Sequence, residues 1–341
     1  MNKATRILVI RNDKLGDFML AWPALSLLKS GCPDAQICVL VPEYTEPMAR
    51  ICPWIDDVIV DAVRESTLSD ARQLARSFRG RGLAVSISLY TETRTALATL
   101  LAGIPVRIGP ATKVAQLFHN HRVTQRRSRS EKPEHVYNTD LARYYVQLVR
   151  RMDADPVDPP YLEFDRQMIE RRRRQFVEAH GAGDRVLVYI HPGSGGSADN
   201  LSLEQYARLA VSVAEQARCF FVITAGPREA EIAHRLSALI TDLPHAVYHS
   251  RDGLVEFSRQ IACADIFISG STGPLHIAGA LNRRTVAFYP ARRSATSLRW
   301  QTLNTEANRI AIMPGAQRPE SGMSQIDLTS VAAHIRTKFL G

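Results

Sequence analysis

Arg6-Ile-Leu-Val-Ile10 runs directly into Arg11-Asn-Asp-Lys-Leu-Gly-Asp17, and then into a stretch whose apolar residues include Met19, Leu20, Ala24, Leu27 and Leu28. The first segment reads as a buried strand, and the later spacing predicts a helix over Asp17–Ser30. Strand, polar turn and helix form the opening unit of a parallel α/β sheet. The unit recurs. Ile37–Val41, Val58–Val60, Ala84–Leu89 and Val106–Ile108 read as strands. Glu43–Ile51, Ser66–Phe78, Thr93–Leu101 and Tyr137–Arg151 read as helices. Asp153-Ala-Asp-Pro-Val-Asp-Pro-Pro160 then interrupts the alternation, because proline cannot continue a helix. Beyond it the pattern restarts, with strands over Val186–Ile190, Cys219–Thr224, Ala246–Tyr248, Asp265–Ser269 and Thr285–Phe288. Helices over Gln167–His180, Ser202–Ala217, Pro227–Ile240, Val255–Ala262, Gly273–Leu281 and Ile326–Phe339 complete it. The fold class expected is α/β, with two doubly wound Rossmann-like domains facing a cleft, and chemistry confined to the loops at the carboxyl ends of the strands.

A chain of 341 residues suits two domains. Its 45% hydrophobic and 23% charged content excludes wholesale disorder. No apolar run approaches the ~20 residues of a membrane span. The amino terminus lacks the pattern of a secretion signal, which predicts a cytoplasmic protein. The 5 cysteines contain no C-x-x-C pair and read as buried free thiols. The net charge of +9 is concentrated locally. Arg107, Lys113, Arg122, Arg126, Arg127, Arg129 and Lys132 lie in one stretch against Glu131 alone. That stretch reads either as a solvated loop or as a surface for an anionic lipid or polyanion. Nucleic acid fits least, since no aromatics interleave the basic residues. Arg171–Arg174 reads as a solvated helix face.

Three strand-end loops carry the candidate chemistry. In Arg11–Asp17, the carboxylate of Asp17 reads either as a helix N-cap or as a general base aimed at the site. In His191–Asn200, Ser194, Gly195, Gly196 and Ser197 can offer backbone amides and hydroxyls to an anion. In Ser269–Pro274, Pro274 suits the first helical turn. The amides of Thr272 and Gly273 then point out of a helix N-terminus, with His276 one turn on. Two anion-suited loops in the second domain and one carboxylate in the first suggest a phosphorylated donor on the second and an acceptor with its base on the first.

Taken in order, Gly16-Asp17 with Trp22-Pro-Ala-Leu25 and Leu28-Lys29, then His191-Pro-Gly-Ser-Gly-Gly-Ser-Ala198, then Ser271-Thr-Gly-Pro-Leu-His-Ile-Ala278 resemble glycosyltransferase family 9, the ADP-heptose:lipopolysaccharide heptosyltransferases. Glu134-His135 through Asn138 and Leu141 resembles the family's crossover region. The resemblance implies a GT-B architecture. Its parts are an acceptor domain over residues 1–155, a nucleotide-sugar domain over 161–323 and a helix over 324–341 crossing back to the first. It implies inverting, metal-independent transfer of heptose to an inner-core sugar, with ADP-heptose as substrate and no cofactor. Asp17 matches the family's base. Thr272, Gly273 and His276 match the segment that holds the donor diphosphate, Ser271 falls at a position that contacts the donor sugar, and Ser194–Ser197 match the loop that closes over it. Glu229 or Glu231 matches a carboxylate on the donor ribose. Arg11, Lys14 and Arg94 are the basic residues placed to meet an anionic acceptor. The implied partners are a nucleotide-sugar, a lipid-anchored glycan and the anionic inner face of the cytoplasmic membrane, with no nucleic acid. Asp199 stands where the family often has a lysine, and Ser271 where it often has an acid. These departures keep two alternatives open: the same fold with another nucleotide-sugar, or a non-catalytic anion-binding module.

Overall fold

The computed structural model describes residues 4–62, 67–193, 200–215, 217–315 and 319–341. The chain divides into two compact units, one of residues 1–127 and 131–158, the other of residues 128–130 and 159–341. Among the described residues, no helix is long and apolar enough to cross a membrane. All five cysteines are buried and free.

The first unit contains β1 (Arg6–Ile10), α1 (Leu15–Met19), α2 (Trp22–Gly31), β2 (Gln36–Pro42), α3 (Glu46–Arg50) and β3 (Asp57–Asp61). It continues with α4 (Leu68–Phe78), β4 (Leu83–Ser88), α5 (Thr93–Leu101), β5 (Val106–Pro110), β6 (His121–Val123) and α6 (Glu134–Arg150). Its six strands are all parallel in the order β3-β2-β1-β4-β5-β6. The winding reverses between β1 and β4, so the loop after β1 opens at the switch point where such sheets bind ligands. The second unit contains α7 (Arg166–His180), β7 (Val186–His191), α8 (Leu203–Ala214), β8 (Cys219–Ala225), α9 (Ala230–Leu239) and β9 (His245–His249). α10 (Gly253–Ile261), β10 (Ile266–Gly270), α11 (Gly273–Ala280), β11 (Arg284–Phe288), β12 (Arg309–Ile312) and α12 (Leu328–Ile335) follow. Its strands are again parallel, in the order β12-β11-β10-β7-β8-β9, with the reversal between β7 and β10.

Local chemistry sets several boundaries. Thr67 and Asp70 form a reciprocal capping box that starts α4, and Ser202 and Gln205 do the same for α8. The single helix predicted over Asp17–Ser30 is two helices, because the chain restarts at Trp22-Pro23, where proline's missing N–H costs nothing. Lys14, not Asp17, occupies the N-cap position of α1, and Asp17 lies in the first turn. The short strands β6 and β12 have too few residues to stand out as periodic runs. Arg171–Arg174 is not a wholly solvated face, since Arg172 pairs with Glu256 and Arg173 with Asp265 at 2.6 Å.

The carboxyl-terminal helix packs within the second unit. Leu328, Val331, Ala332 and Ile335 form one apolar stripe buried with Tyr206, Leu209, Ala210 and Val213 of α8. The apolar face of α12 is matched by that of α8.

In the first unit α2 lies against α6, and the approach is close at Gly31, where a Cβ would sit 2.6 Å from Val146 Cγ1. Gly31→Ala is expected to cost about 1–3 kcal/mol by overpacking. Val146→Ala in the same chain should recover part of that loss. Urea unfolding of the single and double variants measures both, and an unchanged midpoint for Gly31→Ala would show that the two helices are free to part.

Candidate active site

Arg11 leaves the carboxyl end of β1 with its side chain only 3% exposed. Its Nε donates to Asp13 Oδ1 at 2.9 Å and its Nη2 to Asp17 Oδ1 at 2.6 Å. Its Nη1 donates to Glu134 Oε1 at 2.9 Å, Asn138 Oδ1 at 3.0 Å and the Leu89 carbonyl at 3.3 Å. Glu134 and Asn138 stand one turn apart at the start of α6, so one helix face grips the guanidinium from behind. Arg127 Nη1 also donates to Glu134 Oε1, at 2.8 Å. Burial works against the charge on Arg11, but Asp13, Asp17 and Glu134 outweigh it and hold its pKa above the usual value. Burial pushes the Asp13 carboxyl up to about 7, against the pull of Arg11 and with the help of the Asp17 charge.

A second cluster adjoins it through Asn12. Its Nδ2 donates to Asp61 Oδ2 at 2.7 Å and Glu92 Oε2 at 3.0 Å. Arg94 grips Asp61 through both terminal nitrogens, at 3.0 and 2.5 Å, and donates to Glu92 Oε1 at 3.1 Å. Arg94 is 4% exposed. Arg11 and Arg94, expected as cations that meet an anionic acceptor, are instead both committed to carboxylates inside this unit. Lys14 is the exposed cation of the loop.

In the second unit, His191 closes β7. Its Nδ1 lies 3.0 Å from Thr224 Oγ1, and its Nε2 lies 3.5 Å from Glu229 Oε2. Burial lowers the His191 pKa even with Glu229 near. Glu229 Oε2 also accepts from the Gly226 amide at 2.9 Å. A Cβ on Gly193 would sit 2.2 Å from Glu229 Oε1, so only glycine lets the carboxylate lie here. Glu231 is exposed in the first turn of α9. Of the two candidates, Glu229 is the one gathered with His191 and the glycine turn.

Thr272 occupies the N-cap position of α11 without capping it. Its hydroxyl lies 3.0 Å from Ser269 Oγ, which donates to the His191 carbonyl at 3.0 Å. The turns after β7 and β10 are thereby joined, and the first-turn amides of α11 carry no side-chain cap. His276 is buried together with Leu275 and Ile277 of α11. Ser194, Gly195, Gly196, Ser197 and Asp199 lie outside the described residues. Asn200 ties the far end of that segment to its near end, with Nδ2 donating to the Pro192 carbonyl at 2.9 Å.

Residues 71–323 match the family model described as glycosyltransferase family 9 (heptosyltransferase). The chain belongs to glycosyltransferase family 9. It is 44% identical to a Haemophilus influenzae protein named for glycosyltransferase activity, over 96% of this chain and 93% of that one. Among solved structures it resembles a family 9 glycosyltransferase from Veillonella parvula, with a TM-score of 0.78 at 18% identity, over 100% of this chain and 99% of that one. It also resembles an ADP-heptose lipopolysaccharide heptosyltransferase II from Escherichia coli, with a TM-score of 0.77 at 19% identity, over 98% and 99%. The GT-B fold and the glycosyltransferase class read from the sequence both stand.

Asp13, Thr224 and Asn200 were not singled out in the sequence, and Glu134 and Asn138 were named only as part of the family's crossover region. The spacing of Glu134 and Asn138 was the one available signal, since a carboxylate and an amide four residues apart share a helix face. Glu134→Ala is expected to cost about 1–3 kcal/mol, because Arg11 and Arg127 each lose a buried charged partner while Asp13 and Asp17 still face the Arg11 guanidinium. A loss under about 1 kcal/mol in urea unfolding would remove Glu134 as the anchor. Asp13 carries a pH signature. The folded chain holds a proton there between 3.8 and about 7 that the unfolded chain releases, so stability falls as pH rises through that window. Asp13→Asn removes the fall, and its melting temperature should gain on the parent with rising pH. Parallel profiles would contradict the assignment.

Proposed function

We propose that the chain is an inverting glycosyltransferase that moves heptose from ADP-heptose to an inner-core lipopolysaccharide sugar without a metal ion. Family membership supports the class, and the name of the Escherichia coli neighbour supports the donor. The observation that carries the reading is Asp17, half-buried at the switch point of its sheet and held by Arg11 at 2.6 Å. The guanidinium fixes one carboxylate oxygen and leaves the other for the acceptor hydroxyl. Asp17 takes the hydroxyl proton as that oxygen bonds to the anomeric carbon. The bond from the anomeric carbon to phosphate breaks, and its electron pair leaves with ADP. The first-turn amides of α11, with Thr272, Gly273 and His276, receive the diphosphate charge, and Ser271 contacts the donor sugar. Glu229 faces the donor ribose, and Ser194–Ser197 close over the donor.

The buried commitment of Arg11 and Arg94 reshapes the acceptor reading. Asp13, Asp17, Asp61, Glu92 and Glu134 outnumber Arg11, Arg94 and Arg127 at these strand ends. The half-buried carboxylates among them, Asp13, Asp17 and Glu92, favour a sugar that presents hydroxyls to Asp17 over one that presents a phosphate. Lys14 is the cation left to approach an acidic substituent further out. The lipid anchor of the acceptor would bring the protein to the cytoplasmic face of the inner membrane.

Calorimetric titration with ADP, UDP and GDP in the presence of a chelator tests the donor. ADP is expected to bind in preference to the other two. A preference for UDP or GDP would discard ADP-heptose, and no binding by any of them would favour the non-catalytic module. Asp17→Asn is expected to lower transfer by about 10²–10⁴-fold while leaving ADP affinity unchanged. Full turnover in that variant would remove Asp17 as the base.

A further inference from the structure

We infer that the first unit docks on an anionic lipid surface through the turn Val114–Phe118 and the end of α5. Val114 and Leu117 are 61% and 65% exposed, and Leu100 on α5 is 41% exposed. The turn packs against α5, so these three side chains stand on neighbouring elements. Exposed apolar groups gathered in this way mark a contact surface, whereas isolated ones do not.

Cations surround them. Arg79 Nη2 donates to the Leu101 carbonyl at 2.9 Å, which sets its guanidinium beside Leu100. Lys113 is exposed immediately before the turn. Arg107 Nε donates to the Phe118 carbonyl at 2.8 Å, and exposed Arg122 donates to the His119 carbonyl at 3.1 Å. No Asp or Glu occurs between Glu92 and Glu131, so nothing within that stretch offsets these charges. The nearest acid on α4, Asp70, caps the opposite end of that helix from Arg79.

Apolar tips ringed by cations are the chemistry of interfacial anchors: the tips enter the headgroup region and the cations meet anionic lipid. A second exposed apolar group among the described residues, Leu148, Val149 and Met152, has exposed Arg150 and Arg151 balanced by exposed Asp153 and Asp155 and so carries no cationic excess. Within the basic run, Arg127 turns inward to Glu134 and the Leu89 carbonyl, so it is not part of the docking ring.

The choice of a lipid partner rests on the function proposed above, but the test needs neither donor nor acceptor. The full chain is sedimented with vesicles of phosphatidylcholine alone, and with vesicles of equal parts phosphatidylcholine and phosphatidylglycerol. Binding to the mixed vesicles only is expected, weakening with salt. Val114→Gln with Leu117→Gln should reduce it by at least about tenfold. Lys113→Glu with Arg122→Glu should reduce it by roughly fivefold or more per cation. The two pairs are independent, so either reports if the other fails to fold, and ADP affinity should be unchanged in both. The inference is overturned by no preference for anionic vesicles, by binding that survives both pairs, or by a loss that tracks a change of oligomeric state in light scattering. ADP binding without vesicle binding would sink the docking surface and leave the glycosyltransferase reading intact.

Discussion

A guanidinium removed from water at the end of the central strand is the constraint around which the first unit is arranged. Arg11 keeps its charge only because three carboxylates, an amide and a carbonyl surround it. Those partners come from its own loop, from the segment after β4 and from the start of α6. The cation therefore ties distant pieces of chain to one point. The functional consequence is geometric. Asp17 is held at one oxygen by a group that is itself immobilised, so the other oxygen has a defined direction. Asp13 shares the same guanidinium and absorbs the surplus negative charge by staying partly protonated near neutral pH.

The second unit solves a different problem by close backbone approach. Glu229 fits only because Gly193 has no side chain, and it meets the Gly226 amide and the ring of His191. The hydroxyls of Ser269 and Thr272 then link the turns after β7 and β10. Side chains are spent on the scaffold of the turns, and the amides at the start of α11 remain for an anion. Under the proposed function, a charge departing with a diphosphate would be stabilised better by such fixed dipoles than by groups that must reorganise.

The repeated alternation of strand and helix was legible because burial on both faces of a parallel sheet forces near-continuous apolar runs, and helices covering the sheet require their own spacing. The three strand-end motifs were legible for the same reason: glycine, proline and small polar residues at those places are turn chemistry. The break at Leu20-Ala21, the start of α1 at Lys14 rather than Asp17 and the packing of α12 on α8 were not. Each depends on which apolar face finds a partner, and periodicity names the face without naming the partner. Arg11 and Arg94 show the limit most sharply. In sequence they are two arginines in polar loops, and their meaning comes from acids up to 123 positions away.

The sequence by itself determined two parallel α/β units, a boundary in the proline-rich segment before residue 160, the family and the identity of the candidate base. These follow from local spacing and from short motifs whose order along the chain survives without coordinates. Only the tertiary structure decided that the two arginines serve carboxylates inside the fold, that Glu229 rather than Glu231 joins the glycine turn, and that three exposed apolar side chains share a cationic surface. The physical reason is that burial and charge pairing depend on distance through space, and that distance is created when the chain folds.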